Sequence, residues 1–446
     1  MQRYLVQLRR VLPIVLCVGL LQIPFSSSSS AVAGVYSFTN AAATGSTGPT
    51  QAQVNTAYTG TTLDNSVAIN TQGIQEWVVP TTGAYSFVVA GAHGAASTGA
   101  LNIRGGRGAL ITAKKTLTAG TRLYILVGQA GSANTTNGGG GGASFVRIGV
   151  GSDTSTLIVA GGGGGTRTQA SADGGDASTT TSGMSPGNGY GTGTITTFYA
   201  NTSANSFPSG TTFLRGSTAN AYTDIGYGGQ APASNFGDGG AGWLGDGYDD
   251  GGTTTNLAIK LSSTGLGGGA AGTAAGGFGG GGNGAGANGG GGGGGYTGGN
   301  GGYIAGGGGS FVNGFETQTI TIDTGRTFTR NGTAVHGYVT ITLLAPPVPT
   351  TVALSIAGGV NTVSKGSSID ITAVVGSPGK ITFTANGKKI PGCISRNVTT
   401  SIVCSWKPPV QGSVVISAVL LPTDSAYIRS TSPDFMLTAV RRTTLR

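Results

Sequence analysis

The densest group of carboxylates in this chain is Asp238 followed by Asp246, Asp249 and Asp250, the last three within Asp246-Gly247-Tyr248-Asp249-Asp250-Gly251. Carboxylates spaced by glycine can fold around Ca²⁺, a hard cation that takes roughly six to eight oxygen ligands, and Asp246, Asp249 and Asp250 are the candidate ligands. The stretch Asp238 to Asp250 could also flank a sugar as an acid and base pair. An EF-hand spacing is absent, so a polar loop with no ion is the third reading, and no other cofactor is expected. The two histidines, His93 and His336, stand outside any H-E-x-x-H, G-x-S-x-G or C-x-x-C setting. His336 precedes Gly337-Tyr338 at a strand start and reads as structural. G-x-G-x-x-G patterns recur, but poly-glycine makes them by chance without the strand-to-helix context that gives them meaning. The expectation is a protein that is not an enzyme.

Cysteine chemistry reduces to one pair. Cys17 lies near the start, leaving Cys393 and Cys404. In an oxidising compartment they are expected to form a disulfide that adds about 2–4 kcal/mol. The alternative, a reactive thiol pair, lacks a neighbour that would lower a thiol pKa.

The compartment follows from the first residues. Met1-Gln2-Arg3 and Arg9-Arg10 give a positive start, Val11 to Phe25 an apolar core, and Ala31-Val32-Ala33 a small-residue cleavage site. Residues 1–33 therefore read as a secretory signal cut after Ala33. Pro13 and Pro24 bound an apolar run well below the ~20 residues of a membrane span, which argues against an uncleaved anchor. The mature protein is expected to be secreted, with no stable membrane span and with possible association at a cell surface.

Behind these residues stands an unusual backbone. Between Gly265 and Gly309 there are 28 glycines in 45 positions. Glycine loses the most entropy on ordering and brings no side chain to bury, so such a stretch is either linker or a structure held by backbone groups. Leu266, Phe278, Tyr296, Tyr303 and Ile304 punctuate the runs, and two runs feed strands through Gly142-Ala143-Ser144-Phe145-Val146 and Gly309-Ser310-Phe311-Val312. That anchoring favours ordered polyproline II helices, which lack internal hydrogen bonds and can pair N–H with C=O across close neighbours. Before and after the runs, period-two segments such as Glu76 to Val79, Ala84 to Ala90, Ala109 to Thr112, Arg122 to Gly128, Thr317 to Ile322 and Tyr338 to Leu344 read as strands. The 122–128 strand is apolar enough to be buried on both faces. Residues 166–264 read as long polar loops with a few short strands, and no amphipathic helix is evident after the signal.

Gly48-Pro49-Thr50-Gln51-Ala52-Gln53, Gly73 to Pro80, Tyr124 to Gln129, Leu157 to Gly165 and Gly276 to Gly282, in this order, resemble the glycine-rich extracellular domain of the anaplastic lymphoma kinase and leukocyte tyrosine kinase receptors. The resemblance runs from about Gly34 to Leu344. It implies a tumour-necrosis-factor-type jelly-roll β-sandwich, from 34–137, 143–160 and 310–344, carrying a bundle of polyproline II helices. This chain has no kinase and no cysteine between Gly34 and Gly392, so the signalling role does not carry over. After the stiff Pro346-Pro347-Val348-Pro349, the words Gly379 to Cys393, Cys404-Ser405-Trp406 and Asp424 to Tyr427 resemble bacterial immunoglobulin-like repeats, which imply a second β-sandwich acting as a stalk. The expected organisation is a signal at 1–33, a glycine-rich domain at 34–345, a linker at 346–350 and an immunoglobulin-like domain at 351–446, all-β throughout.

Charge divides at the same place. Residues 34–345 carry 11 Lys+Arg against 12 Asp+Glu, whereas residues 346–446 carry 10 against 3, a net +7. A basic module outside a cell can draw in an anionic cell-wall polymer, although scattered lysines also suit a solvated face. Nucleic acid is not expected, for lack of a basic stripe with interleaved aromatics. The reading is a non-catalytic, extracellular bacterial protein for adhesion or recognition of a protein or polysaccharide. The alternative is a secreted polysaccharide-active enzyme using the Asp238 to Asp250 loop. Flat faces on a glycine bundle make ice a third, weaker idea.

Overall fold

Short alternating runs with glycine, asparagine and proline between them can bury their apolar side only by pairing into sheets. A computed structural model describes residues 34–99, 103–168, 170, 172–184, 213–214, 225–229, 231–232, 237–248, 257–262, 267–269, 274–284, 289–326, 335–424 and 426–441. Ala33, Asp249 and Asp250 lie outside the described residues. The first part of the chain runs β1 (Val35–Phe38), α1 (Gln51–Tyr58), β2 (Val67–Thr71), β3 (Ile74–Val78), β4 (Gly83–Ala90), β5 (Ala109–Leu117), β6 (Arg122–Leu126), β7 (Ser144–Arg147) and β8 (Leu157–Ala160). It continues with the short pair β9 (Phe213–Leu214) and β10 (Ala231–Pro232), then β11 (Phe311–Asn313), β12 (Thr317–Ile322) and β13 (Tyr338–Leu343). One sheet has the order β1-β13-β4-β5-β12 and another β11-β8-β7-β6-β3-β2.

Period two decides how these sheets meet. Tyr85, Phe87 and Val89 of β4 and Val339 and Ile341 of β13 share one core with Leu123 and Ile125 of β6 and Ile158 and Ala160 of β8. The sheets therefore pack face to face as an all-β sandwich. Trp77 closes one end, its ring 4.6 Å from Tyr36 and edge-on to Phe38 and Tyr85. The intervening residues Leu126, Phe145, Leu157 and Val159 point the other way, into a second apolar cluster with Trp243, Leu261 and Phe278. Over Leu126, Phe145 and Leu157 to Ala160 the six-stranded sheet is thus covered on both faces, which is why β8 reads as a continuous apolar run.

The helix α1 departs from the sequence expectation. It is two turns long, buries Val54 and Tyr58 and is polar elsewhere, so it leaves no amphipathic pattern to read. Its start is nonetheless encoded: Thr50 and Gln53 form a capping box, each side chain accepting from the other's backbone N–H.

The glycine runs form a hydrogen-bonded lattice. In Gly289 to Gly295 the donors repeat every three residues. Gly291 and Gly294 donate to Gly138 and Gly141, while Gly292 and Gly295 donate to Asp238 and Ala241. Gly290 and Gly293 donate to Gly302 and Gly306. The carbonyls of Gly291 and Gly294 accept from Gly165 and Gly162, on a fourth segment. Such spacing leaves no room for side chains: a Cβ on Gly292 would fall 2.0 Å from the oxygen of Gly299, and one on Gly293 would fall 2.1 Å from that of Gly162. Ordering a residue's backbone costs about 1–2 kcal/mol, and glycine about 0.5–1 kcal/mol more than alanine, whereas a backbone hydrogen bond returns about 0.5–1.5 kcal/mol. The lattice is therefore unfavourable by itself and leans on its apolar pins Trp243, Leu261 and Phe278 on the sheet.

The last part runs β14 (Val348–Pro349), β15 (Val352–Ile356), β16 (Thr362–Ser364), β17 (Ile369–Val375), β18 (Gly379–Ala385), β19 (Lys388–Lys389) and β20 (Arg396–Val398). It ends with β21 (Ser401–Trp406), β22 (Gly412–Pro422), β23 (Tyr427–Ile428), β24 (Ser430–Thr431) and β25 (Phe435–Val440). A sheet β15-β17-β21 and a larger one built on β16-β25-β22-β18-β19 close over Ile371, Phe383, Ile416 and Leu437. Asn386 and Gly387, at φ 46° and 73°, make the tight turn between β18 and β19. Cys404 on β21 is joined to Cys393, with Cα atoms 5.8 Å apart.

Candidate functional site

The sequence-predicted carboxylates do not share one environment. Asp246 is exposed and its Oδ1 accepts the N–H of Lys260 at 2.8 Å, which ties the 244–248 turn to the 257–261 segment. Asp238 is buried, and its backbone belongs to the lattice through Asn283 and Gly292. With Asp249 and Asp250 outside the described residues, no group of three or more His, Cys, Asp or Glu side chains is found among those described.

The two histidines, far apart in sequence, meet at one arginine. Arg326 binds the Asp323 carboxylate, the carbonyl oxygen of His336 and, at 2.7 Å, that of Gly91. Nδ1 of His336 accepts the N–H of Ala130 at 3.1 Å. His93 lies wholly buried with Nε2 4.0 Å from Asp323. Burial, then the charges of Arg326, Arg104 and Arg107, push the His93 pKa down to about 3. Burial and Arg326 lower that of His336 as well. Both rings are therefore neutral at physiological pH, and this cluster ties the five-stranded sheet to the glycine segments at 91 and 130. Its role is architectural.

The arrangement with the chemistry of a binding site lies where the six-stranded sheet emerges from beneath the lattice. Register places Glu76 of β3, Tyr124 of β6 and Arg147 of β7 side by side, with Leu157 of β8 and Asn313 of β11 continuing the row. One row inward on the same face, Leu126, Phe145, Val159 and Phe311 lie under the lattice or at its rim. Arg147 marks the boundary. Its guanidinium carbon sits 5.3 Å from the ring centre of Tyr124, 5.6 Å from that of Phe145 and 5.9 Å from that of Trp243. Three ring faces of negative charge hold one cation, and burial lowers its pKa without approaching neutrality, since arginine stays charged in proteins.

The neighbours are committed elsewhere. Arg122 donates to Glu76 Oε2 at 2.9 Å. Asp153 is exposed, and its carboxyl titrates lower than usual because it accepts the N–H of Ser155. Trp243 Nε1 donates to the carbonyl oxygen of Ser152 at 3.2 Å, and Nη1 of Arg147 to that of Gly151, so the 149–153 turn is fixed from below. Around this centre the surface is apolar and aromatic: Val150 is 67% exposed, Val78 and Leu244 are exposed, and Tyr296 stacks on Phe311 at 4.2 Å. The site can hold a flat or anionic group. Reading by sequence passed over Arg147, although a lone arginine inside Ser144-Phe145-Val146-Arg147-Ile148 was a visible sign.

No protein-family model matches the chain. Its relatives include the mouse leukocyte tyrosine kinase receptor, 40% identical over 101 residues, a match that covers 22% of this chain and 11% of the receptor. The chain thus spans about a tenth of the length of that relative. The match supports a distant resemblance to that receptor's extracellular region, which is compatible with an extracellular recognition role. Among the described residues no helix is long and apolar enough to cross a membrane.

Proposed function

We propose that this is a secreted, non-catalytic protein for adhesion or recognition, bacterial and extracellular or held at the cell surface. The observation that carries the reading is the Glu76-Tyr124-Arg147 row, set on a sheet that core side chains hold from one face and a glycine lattice from the other. A sheet braced on both faces keeps such a row in fixed geometry, which lowers the ordering cost of binding. In this reading residues 34–345 form the recognition head, 346–350 a stiff linker and 351–446 an immunoglobulin-like stalk, with 1–33 removed on export. The three-residue repeat of donors in Gly290 to Gly295 is what three residues per turn would produce, so the runs are read as polyproline II helices.

The test is direct. The secreted full-length chain, labelled, is offered to intact bacterial cell walls and to a panel of polysaccharides, with reducing-end release followed in parallel. Saturable retention without release supports recognition. Release of reducing ends that stops in Asp249→Asn replaces it with the polysaccharide-active alternative.

A further inference from the structure

An edge strand presents a row of unpaired N–H and C=O groups, and folded proteins block such rows because another chain pairs with them readily. Two edges between residues 34 and 344 are blocked by side chains. On β2, Gln51 Oε1 accepts the N–H of Ile69 at 2.7 Å and Gln51 Nε2 donates to the Val67 carbonyl oxygen at 3.0 Å, so one amide stands in for a neighbouring strand. Beside β1, Thr62 donates to the Val35 carbonyl oxygen and the Tyr58 hydroxyl accepts the N–H of Thr39.

The edge of β12, Thr317–Ile322, carries no such block. This strand lies outermost in its sheet and pairs with β5 alone, in unbroken register from Thr317 opposite Lys114 to Ile322 opposite Ala109. The N–H of Asp323 continues the ladder to the Gly108 carbonyl oxygen. Bonded and non-bonded pairs alternate in an antiparallel ladder, so Thr317, Thr319 and Thr321 bond to β5 while Gln318, Ile320 and Ile322 turn their backbone groups outward. Among the described residues only the Ile322 carbonyl oxygen meets a donor there, the N–H of Thr324. Thr317, Gln318, Thr319 and Thr321 are exposed, and Ile320 and Ile322 are half-buried. The strand has no charge, no proline and no bulge, the usual devices against pairing.

We propose that β12 pairs with β12 of a second copy of this chain, antiparallel about a two-fold axis through Ile320. The inference goes beyond the recognition reading and does not depend on it. In that register Ile320 falls opposite its counterpart and Gln318 opposite Ile322, which brings the outward N–H groups to carbonyl oxygens, while Thr319 falls opposite Thr321. Ile320 and Ile322 lie on the core side of the sheet, beside the buried Ile111 and Ala109, so pairing carries the apolar layer across the axis and covers them further. On the solvent side threonine meets threonine, a favourable cross-strand pair, and no like charges are brought together. An unrelated extended peptide would gain the backbone bonds without this match. At ~3.4 Å per residue the contact is about 20 Å long, smaller than an obligate interface, so the dimer should come apart on dilution.

The experiment is sedimentation velocity of the secreted full-length chain over a range of concentrations. The expected result is a monomer–dimer equilibrium that Gln318→Pro weakens tenfold or more. That change removes an outward N–H and an exposed side chain, a loss that an edge strand tolerates. Ile320→Cys should give a disulfide-linked dimer under mild oxidation, since bonded partners lie ~5.5 Å apart at Cα, within disulfide reach, whereas Thr319→Cys, which faces Thr321, should not. If Gln318→Pro does not fold, Thr319→Lys with Thr321→Lys should abolish the dimer and Thr319→Lys with Thr321→Glu should restore it. Both double variants lose the same threonines and differ in the charge that faces across the axis. A dimer indifferent to these substitutions, or one cross-linked through Thr319→Cys in place of Ile320→Cys, overturns the proposal. A monomer at every concentration overturns it as well and leaves the edge to an extended segment of another protein.

Discussion

The ring of Phe278 occupies the space that a side chain on Gly73 would need: a Cβ there would lie 2.1 Å from Cζ. Gly73 also sits at φ 87°, a conformation costly for any other residue. Gly48 meets the same ring, where a Cβ would lie 2.5 Å from Cζ. Three separate sequence words, Gly48-Pro49, Gly73-Ile74 and Gly277-Phe278, thus converge on one contact that pins the lattice to the sheet.

Gly73→Ala is expected to destabilise the protein by about 3 kcal/mol or more, from overpacking together with backbone strain. In a Phe278→Ala background the clash is gone and the same change should cost about 1 kcal/mol. Urea denaturation of the four variants measures the coupling, and additive costs would show that the ring and the glycine do not compete for space.

Hydrogen exchange gives the lattice a direct readout. The amides of Gly291 to Gly295 donate at 2.8–3.1 Å to carbonyls on other segments, and all five residues are buried. They should exchange orders of magnitude more slowly than a random coil. Coil-like rates there would mean that the runs behave as linker.

His93 makes stability depend on acid. Its folded pKa of about 3 lies below the ordinary histidine value, so the folded state takes up its proton later than the unfolded chain as pH falls. The stabilisation from keeping the ring neutral is complete above pH ~6.5 and is lost between there and pH ~3, for a total on the order of 4 kcal/mol. His336 shifts in the same direction. The melting temperature should fall across that window, and His93→Gln should flatten the fall. An unchanged profile in the variant would assign the acid sensitivity to other groups.

Cys404→Ser removes the link to Cys393 and leaves a buried hydroxyl in the core of the last sandwich. The expected loss is about 2–4 kcal/mol for the closed loop. If residues 351–446 unfold as their own unit, calorimetry should show one transition lowered and another, belonging to 34–345, unmoved. A uniform shift of all transitions would argue for one cooperative unit.

Much of this architecture is legible in the residues because burial on two faces and on one leave different marks. Phe145-Val146 and Leu157 to Ala160 are unbroken apolar runs, and each lies in the doubly covered sheet; Tyr338 to Leu343 alternates, and it lies in the sheet with one face toward solvent. Thr50 and Gln53 spelled a helix start, yet two polar turns carry no periodic signal. The site was harder. Glu76, Tyr124 and Arg147 stand in one row only because three strands pair in one register, and nothing local to any of them records that pairing. Spacing alone also does not say how carboxylates lie: Asp238 and Asp246 are close in sequence, but the first is buried in the lattice and the second is exposed.

The lattice also bears on the order in which the molecule assembles. Gly291 pairs with Gly138, Gly294 with Gly141 and Gly308 with Gly162, partners far apart in the chain, and glycine gives none of these segments a local preference to hold until the partner arrives. No pair can be kept without the others, since each segment is surrounded by several more. The sandwich is therefore expected to form first and serve as the template, with the glycine runs pairing into register afterwards. In refolding kinetics the burial of Trp77 should precede protection of the Gly291 to Gly295 amides, and the reverse order would mean that the runs nucleate on their own.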